Sequence, residues 1–294
     1  MPTLYKKAGS PRVRHRGFID TTIDIVEACD LLQIHVILLK GISVSEQVYP
    51  EEHLRPMSDI DVLIPAGCYA AVERALLERG YCKLDGAIDE AFHHGPPLQH
   101  PARGTVVELH RKLFPDDSPL SENSVFCPST VAMGSVPSIY HGRSVRRLSF
   151  EWQLPYIASS WCNDLTLSRI HPSFLASLFD AIYLLDASSQ TFDWDAMHAS
   201  VDNEMANASL YVMLTYLQRY GAKSIPASSV YWLSTKQALV GPVQLKVIHW
   251  MLDRHLVAGR PWDAWLPLPV PGRYSFRYQI KKRGLNRLRR RRLD

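Results

Sequence analysis

The sequence predicts an α+β domain over residues 11–150, followed by an α-helical domain over residues 151–258. Three observations carry this. Short apolar runs of strand length recur at residues 34–39, 59–64 and 105–110. Stretches with helical spacing separate the first of these runs from what surrounds it. From Gln153 onward the periodicity is helical alone.

In chain order, Phe18 to Leu32 sets Phe18, Ile19, Ile23, Val26 and Leu31 roughly on one side of a helix. Ile34 to Leu39 is a β-branched apolar run and predicts a buried strand. It ends at Lys40-Gly41, and Ser43 to Tyr49 then predicts a short helix stopped by Pro50. A polar loop from Glu51 to Ser58 leads into the second strand, Asp59 to Ile64. Pro65 opens a helix with Tyr69, Val72, Leu76 and Leu77 on its apolar face, and Gly80 serves as its C-cap. Tyr81 to Leu84 predicts a further strand, and Ala87 to Arg103 a loop. Its His93, His94 and His100 follow no metal-ligand spacing and read as loop residues. Thr105 to His110 is the third apolar strand. Ser173 to Asp186, Asn207 to Tyr220 and Ala238 to Leu256 predict helices, with Gly241-Pro242 interrupting the start of the last.

The 294 residues suffice for one large or two ordinary domains, and 46% hydrophobic against 21% charged residues is the balance of a globular protein. No apolar run reaches the length of a membrane span. The five cysteines are odd in number, widely spaced and never in a Cys-x-x-Cys pair. That excludes a disulfide framework or zinc ribbon and points to a reducing cytoplasm. Residues 1–10 resemble the translated scar of a cloning site and stand outside the fold. The net charge of +4 is uneven. Residues 259–294 form a Pro/Trp-rich connection and a basic tail, leaving the body mildly acidic. The run Lys281 to Arg292 suits RNA, an anionic surface or a solvated end.

The chemistry centres on Asp59-Ile60-Asp61. Side chains two apart on a strand share a face, so Asp59 and Asp61 stand together and Ile60 and Val62 point away. Two like charges on one face cost free energy unless something positive lies between them. A divalent cation, Mg2+ or Mn2+, answers this with oxygen ligands, and an edge strand exposed to water answers it without one. Glu108 interrupts an apolar strand and shares its face with His110. A charge there is costly unless paired or metal-bound, which makes Glu108 the third partner; a strand with one solvated face also accommodates it. The strand–Gly41–helix turn lets backbone approach a phosphate at a helix N-terminus, with Lys40 adding a point charge.

Leu38-Leu39-Lys40-Gly41, Tyr49-Pro50, Arg55-Pro56-Met57-Ser58-Asp59-Ile60-Asp61 and Val107-Glu108-Leu109-His110, in this order, resemble the bacterial uncharacterised nucleotidyltransferase family of the DNA polymerase β-like superfamily. The likeness extends through Val145 to Gln153 and Leu178 to Asp195, and covers about Phe18 to Pro226. One departure is Ile42 at the position after the glycine, with Ser43 one later. The resemblance implies a mixed sheet with flanking helices in the first domain. It implies transfer of a nucleoside monophosphate from an NTP, expected to be ATP, to an unknown acceptor, favoured as a small molecule or peptide. Asp59, Asp61 and Glu108 would be the catalytic and metal-binding residues. Lys40, Gly41, Ser43, Arg55, Ser58 and His110 would surround the nucleotide, with His110 orienting Glu108 or serving structurally. The alternatives are a toxin-like or regulatory transferase acting on tRNA or protein, and a non-catalytic nucleotide-binding module.

Overall fold

The computed structural model describes residues 10–84, 93–116, 118–122, 124–166 and 173–257. The expectations for the segment before Ser10, the Pro/Trp-rich connection, the basic run Lys281 to Arg292 and the start of the loop after Ala87 lie outside these residues. The chain divides into two compact units, Met1–Ile157 with Phe179–Asp202, and Ala158–Leu178 with Asn203–Asp294.

In the first unit, helices α1 (Pro11–Leu31), α2 (Lys40–Val48), α3 (Tyr69–Glu78), α4 (Pro128–Gly134) and α7 (Trp194–Ser200) accompany strands β1 (Ile37–Leu38), β2 (Asp59–Leu63), β3 (Cys82–Lys83), β4 (Leu98–Gln99), β5 (Val106–His110), β6 (Ser135–Tyr140) and β7 (Arg143–Leu148). Helices α5 (Phe150–Thr166) and α6 (Ser173–Ala187) each cross the boundary between units. The strands form one mixed sheet in the order β3-β4-β5-β2-β1-β7-β6. The β2–β5 and β1–β7 pairs are parallel; the other pairs are antiparallel.

Alternation fixes which face is which. Ile60, Val62, Val107 and Leu109 point to one face, where they join Leu38, Leu98, Phe18, Ile25, Val72 and Leu76 in a single apolar core. Burying each such side chain contributes roughly 1.5–3 kcal/mol, so the register of β2 against β5 is strongly specified. The same alternation commits Asp59, Asp61, Glu108 and His110 to the opposite face.

The sequence reading is corrected in several places. Helix α1 starts at Pro11 rather than Phe18, with proline at the first helical position where its missing N–H costs nothing. Only Ile37–Leu38 of the apolar run pairs as a strand. Helix α2 starts at Lys40 rather than Ser43, because the Ser43 N–H already donates to the Leu39 carbonyl at 3.3 Å. Residues 135–148 form the β6–β7 hairpin, which the sequence reading omits. Its turn places His141 at φ 44° and Gly142 at φ 79°, the left-handed pair that a two-residue hairpin requires.

The second unit contains α8 (Glu204–Arg219), α9 (Ala227–Thr235), α10 (Pro242–Leu252) and a π-helical turn at Asp253–Val257. The Asn203 side chain caps α8 by accepting from the Ala206 N–H at 3.0 Å. Gly241-Pro242 is the start of α10, not an interruption in it. No described helix is long and apolar enough to cross a membrane.

Candidate active site

Parallel pairing sets Asp61 opposite Glu108, Asp59 opposite Val106 and Leu63 opposite His110. Asp59, Asp61, Glu108 and His110 therefore share one face of two adjacent strands. Lys40 and His110 close on Asp61. The Lys40 Nζ donates to Asp61 Oδ1 at 2.6 Å, and His110 Nε2 lies 2.8 Å from the same oxygen. His110 Nε2 also lies 3.7 Å from Glu108 Oε2. With carboxylate oxygens on this side of the ring, Nε2 carries the proton and donates.

The electrostatics are graded across the face. Burial pushes the Asp59 carboxyl up to about 6, with the Asp61 charge adding to it and Lys40 and the Ser58 hydroxyl only partly opposing. Burial also works against Asp61, but Lys40 and the His110 hydrogen bond outweigh it and hold this carboxyl well below the usual range. Glu108 behaves similarly: burial raises it, and the neighbouring His110 imidazole brings it below its ordinary value. Burial lowers Lys40 and His110, and in each the contact with Asp61 reverses the sign. Lys40 holds this position with φ 45°, a left-handed backbone that a residue bearing a Cβ rarely adopts.

The sequence reading treats His93 and His94 as plain loop residues; the structure brings both to the site. The segment that starts at His93 runs alongside β5, with His94 opposite His110 in an isolated antiparallel bridge. The Arg111 N–H donates to the His93 carbonyl at 2.8 Å. The rings of His93, His94 and His110 lie within 5.3 Å of one another, centroid to centroid. His94 Nδ1 meets the Gly95 carbonyl at 2.8 Å, and its Nε2 lies 3.5 Å from Glu108 Oε2. The sequence signal was the His-His pair itself, but only the non-local pairing with β5 gives it meaning.

The loop before β2 is held from outside the sheet. Arg55 is buried and donates through Nε to Asp180 Oδ1 at 2.9 Å and through Nη2 to Oδ2 at 2.6 Å; Asp180 stands on α6. The Tyr49 hydroxyl donates to the same carboxylate at 2.6 Å. Arg55 Nη1 donates to the Pro56 carbonyl. Arg55, a phosphate candidate by sequence, is thus committed to an internal ion pair, and Asp180, which the sequence did not single out, is its partner. Gly41 lies under the same loop. A Cβ there would come 2.8 Å from Met57 Cγ and 2.9 Å from Arg55 Nη1, so close packing of the loop on α2 requires glycine. Ser43 follows one turn after Lys40; its Oγ is buried without a hydrogen-bond partner among the described residues.

The donor set fits a divalent ion. Asp61, Glu108 and His110 each offer one donor atom, and the three lie within 4.8 Å of one another. Asp59 flanks this set on the Asp61 side.

No curated protein matches the sequence. Three solved structures are similar. The solution structure of the antibiotic-resistance factor ANT(2'')-Ia is 12% identical over 69% of this chain and 97% of that one, with a TM-score of 0.42. The crystal structure of ANT(2'')-Ia in complex with adenylyl-2''-tobramycin is 13% identical over 69% and 98%, with a TM-score of 0.42. An antigenic nucleotidyltransferase-like protein from Paracoccidioides brasiliensis is 14% identical over 72% and 92%, with a TM-score of 0.41. Residues 4–221, most of the chain, match the family model described as uncharacterised nucleotidyltransferase. The chain belongs to that family.

Proposed function

We propose that this nucleotidyltransferase moves a nucleoside monophosphate from an NTP, in the first instance ATP, to a hydroxyl of a small molecule or peptide, with release of pyrophosphate. The observation that supports it is the register of β2 against β5, which sets Asp59, Asp61 and Glu108 on one face. Asp59, Asp61 and Glu108 would hold a divalent ion, Mg2+ or Mn2+, which would supply charge neutralisation for the triphosphate and for the attacking oxygen. Glu108, ionised and open to solvent on one side, accepts the proton of the acceptor hydroxyl. Lys40 neutralises Asp61 before loading; its side chain is 32% exposed and can turn from the carboxylate to a phosphate.

The first turn of α2 presents backbone N–H groups that lack intrahelical partners, a ready anion site. Gly41 keeps that turn tight against the loop, and the buried Ser43 hydroxyl is a donor in search of an acceptor. Ser58 hydrogen-bonds Asp59. Arg55 acts through Asp180 by fixing the loop that carries Ser58 into β2.

Calorimetric titration of the four NTPs, with and without Mg2+, tests this reading. Ion-dependent binding of one NTP that is lost in Asp59→Asn/Asp61→Asn supports it; binding unchanged in the double variant refutes it. A tRNA or protein acceptor is favoured by one observation, the basic run Lys281 to Arg292. RNA binding that falls steeply with salt and disappears on deleting that run would support this second reading.

A further inference from the structure

We propose that the centre takes a first-row transition-metal ion in preference to Mg2+, with His110 Nε2 as a direct ligand beside Asp61 and Glu108. This deepens the transferase reading and rests on it. The argument begins with donor chemistry. Mg2+ demands near-octahedral oxygen coordination and sheds water reluctantly, whereas imidazole suits transition ions. Here a wholly buried imidazole nitrogen stands 2.8 Å from one carboxylate oxygen and 3.7 Å from another. Donors that share one such ion lie roughly 3 Å apart, since each sits about 2.0–2.2 Å from it. The imidazole already meets this spacing with Asp61 and lies 3.7 Å from Glu108, and the three donor atoms lie within 4.8 Å of one another, so closure is a matter of side-chain movement and none of the three residues needs to change strand or face.

The surroundings agree. Three protein ligands with the remaining positions open is the arrangement of ions that do chemistry. His94 adds a second imidazole at the rim of the set, 3.5 Å from Glu108, with its other nitrogen on a backbone carbonyl as metal-facing imidazoles are commonly held. Lys40 already holds a positive charge against the Asp61 oxygen that the ion would take. Binding then exchanges one positive charge for another: the Nε2 proton of His110 leaves to solvent, and the half-buried Lys40 ammonium swings off Asp61.

The test uses Mn2+ and Mg2+ on the full chain, with and without ATP. Pulsed electron paramagnetic resonance of the Mn2+ complex should show coupling to a directly bound nitrogen, and histidine labelled with 15N should change it. His110→Gln should weaken Mn2+ by more than about 100-fold, beyond the 10–100-fold that losing an orienting partner costs. Lys40→Met should tighten Mn2+ binding by about tenfold or more, because it removes the competing charge. The wild-type spectrum needs no variant, so misfolding of His110→Gln does not shelter the proposal. Absence of nitrogen coupling, with ATP still bound through Asp59 and Asp61 in Mg2+, overturns this inference and leaves the transferase reading intact. Failure of both ions to bind, with or without ATP, overturns both.

Discussion

Replacing Asp180 by alanine should destabilise the first unit more than any exposed substitution could. Arg55 is 6% exposed and Asp180 2%, so the pair is removed from water. The carboxylate accepts from Arg55 Nε at 2.9 Å, from Nη2 at 2.6 Å and from the Tyr49 hydroxyl at 2.6 Å. Burial and the neighbouring Asp180 charge keep that tyrosine protonated and donating. Asp180→Ala leaves a guanidinium and a hydroxyl buried without their acceptor. Breaking a buried pair from one side costs about 3–5 kcal/mol. For a unit of this size that lowers Tm by about 6–20 °C. Arg55→Met/Asp180→Leu replaces charge by apolar volume and should recover most of the loss, since well-packed hydrophobic substitutes for buried pairs are often neutral. Thermal and urea unfolding followed by circular dichroism measure both variants. A loss below about 1 kcal/mol, the range of exposed ion pairs, would refute the reasoning.

Two further outcomes follow from the same face of the sheet. Gly41→Ala should cost about 1–3 kcal/mol and weaken NTP binding, because its Cβ meets Met57 and Arg55. Adding Met57→Ala should recover only part of that in a Tm measurement, since Arg55 is pinned by Asp180. Asp59→Asn should raise the stability of the metal-free protein and, in Mg2+, abolish NTP binding. The Asp59 carboxyl, ordinarily at 3.8, is pushed up to about 6, so the folded state disfavours its charge by on the order of 3 kcal/mol once both states are ionised. The gain should be full above pH 6, shrink as pH falls through that window and vanish below about 3.8. Tm against pH in a chelator, wild type beside variant, measures it; a gap that persists at pH 3 would contradict the assignment.

What the sequence made legible was what local periodicity carries. In β2 and β5 one face, Ile60, Val62, Val107 and Leu109, is wholly β-branched or leucine, so strand, face and the Asp59–Asp61–Glu108 grouping could all be read. The family resemblance added the order of these elements, and the match of residues 4–221 to the family model bears out the family. Three things were not legible, each for a physical reason. The β6–β7 hairpin contains Arg143, Arg146 and Arg147, and its strands lack an apolar stripe; Arg147 is buried with Glu46 on α2 and the Ile139 carbonyl as acceptors. The turn signal His141-Gly142 was present but stood between runs that do not look like strands. His94 reaches the site through non-local pairing of residues 93–95 with the end of β5, and nothing in its neighbours marks that return. Asp180 sits in an amphipathic helix where a single acid reads as surface, and its partner is 125 residues away.

The distribution of positive charge explains why the face is built asymmetrically. Lys40 and His110 both converge on Asp61, and His110 also serves Glu108, so those two carboxylates are ionised at no need of a further cation. Asp59 receives only partial help from Lys40 and the Ser58 hydroxyl, and its carboxyl sits high as a result. The protein alone therefore neutralises the Asp61–Glu108 end and leaves the Asp59 end short of positive charge. A cation arriving with the triphosphate gains most where the deficit lies, between Asp59 and Asp61. A cation held by Asp61, Glu108 and His110 must instead displace a proton and an ammonium, which demands a metal with real affinity for nitrogen. On the two proposals above, the same face would present two positions with different entry requirements, one open to any divalent ion that accompanies a nucleotide and the other selective through the His110 imidazole.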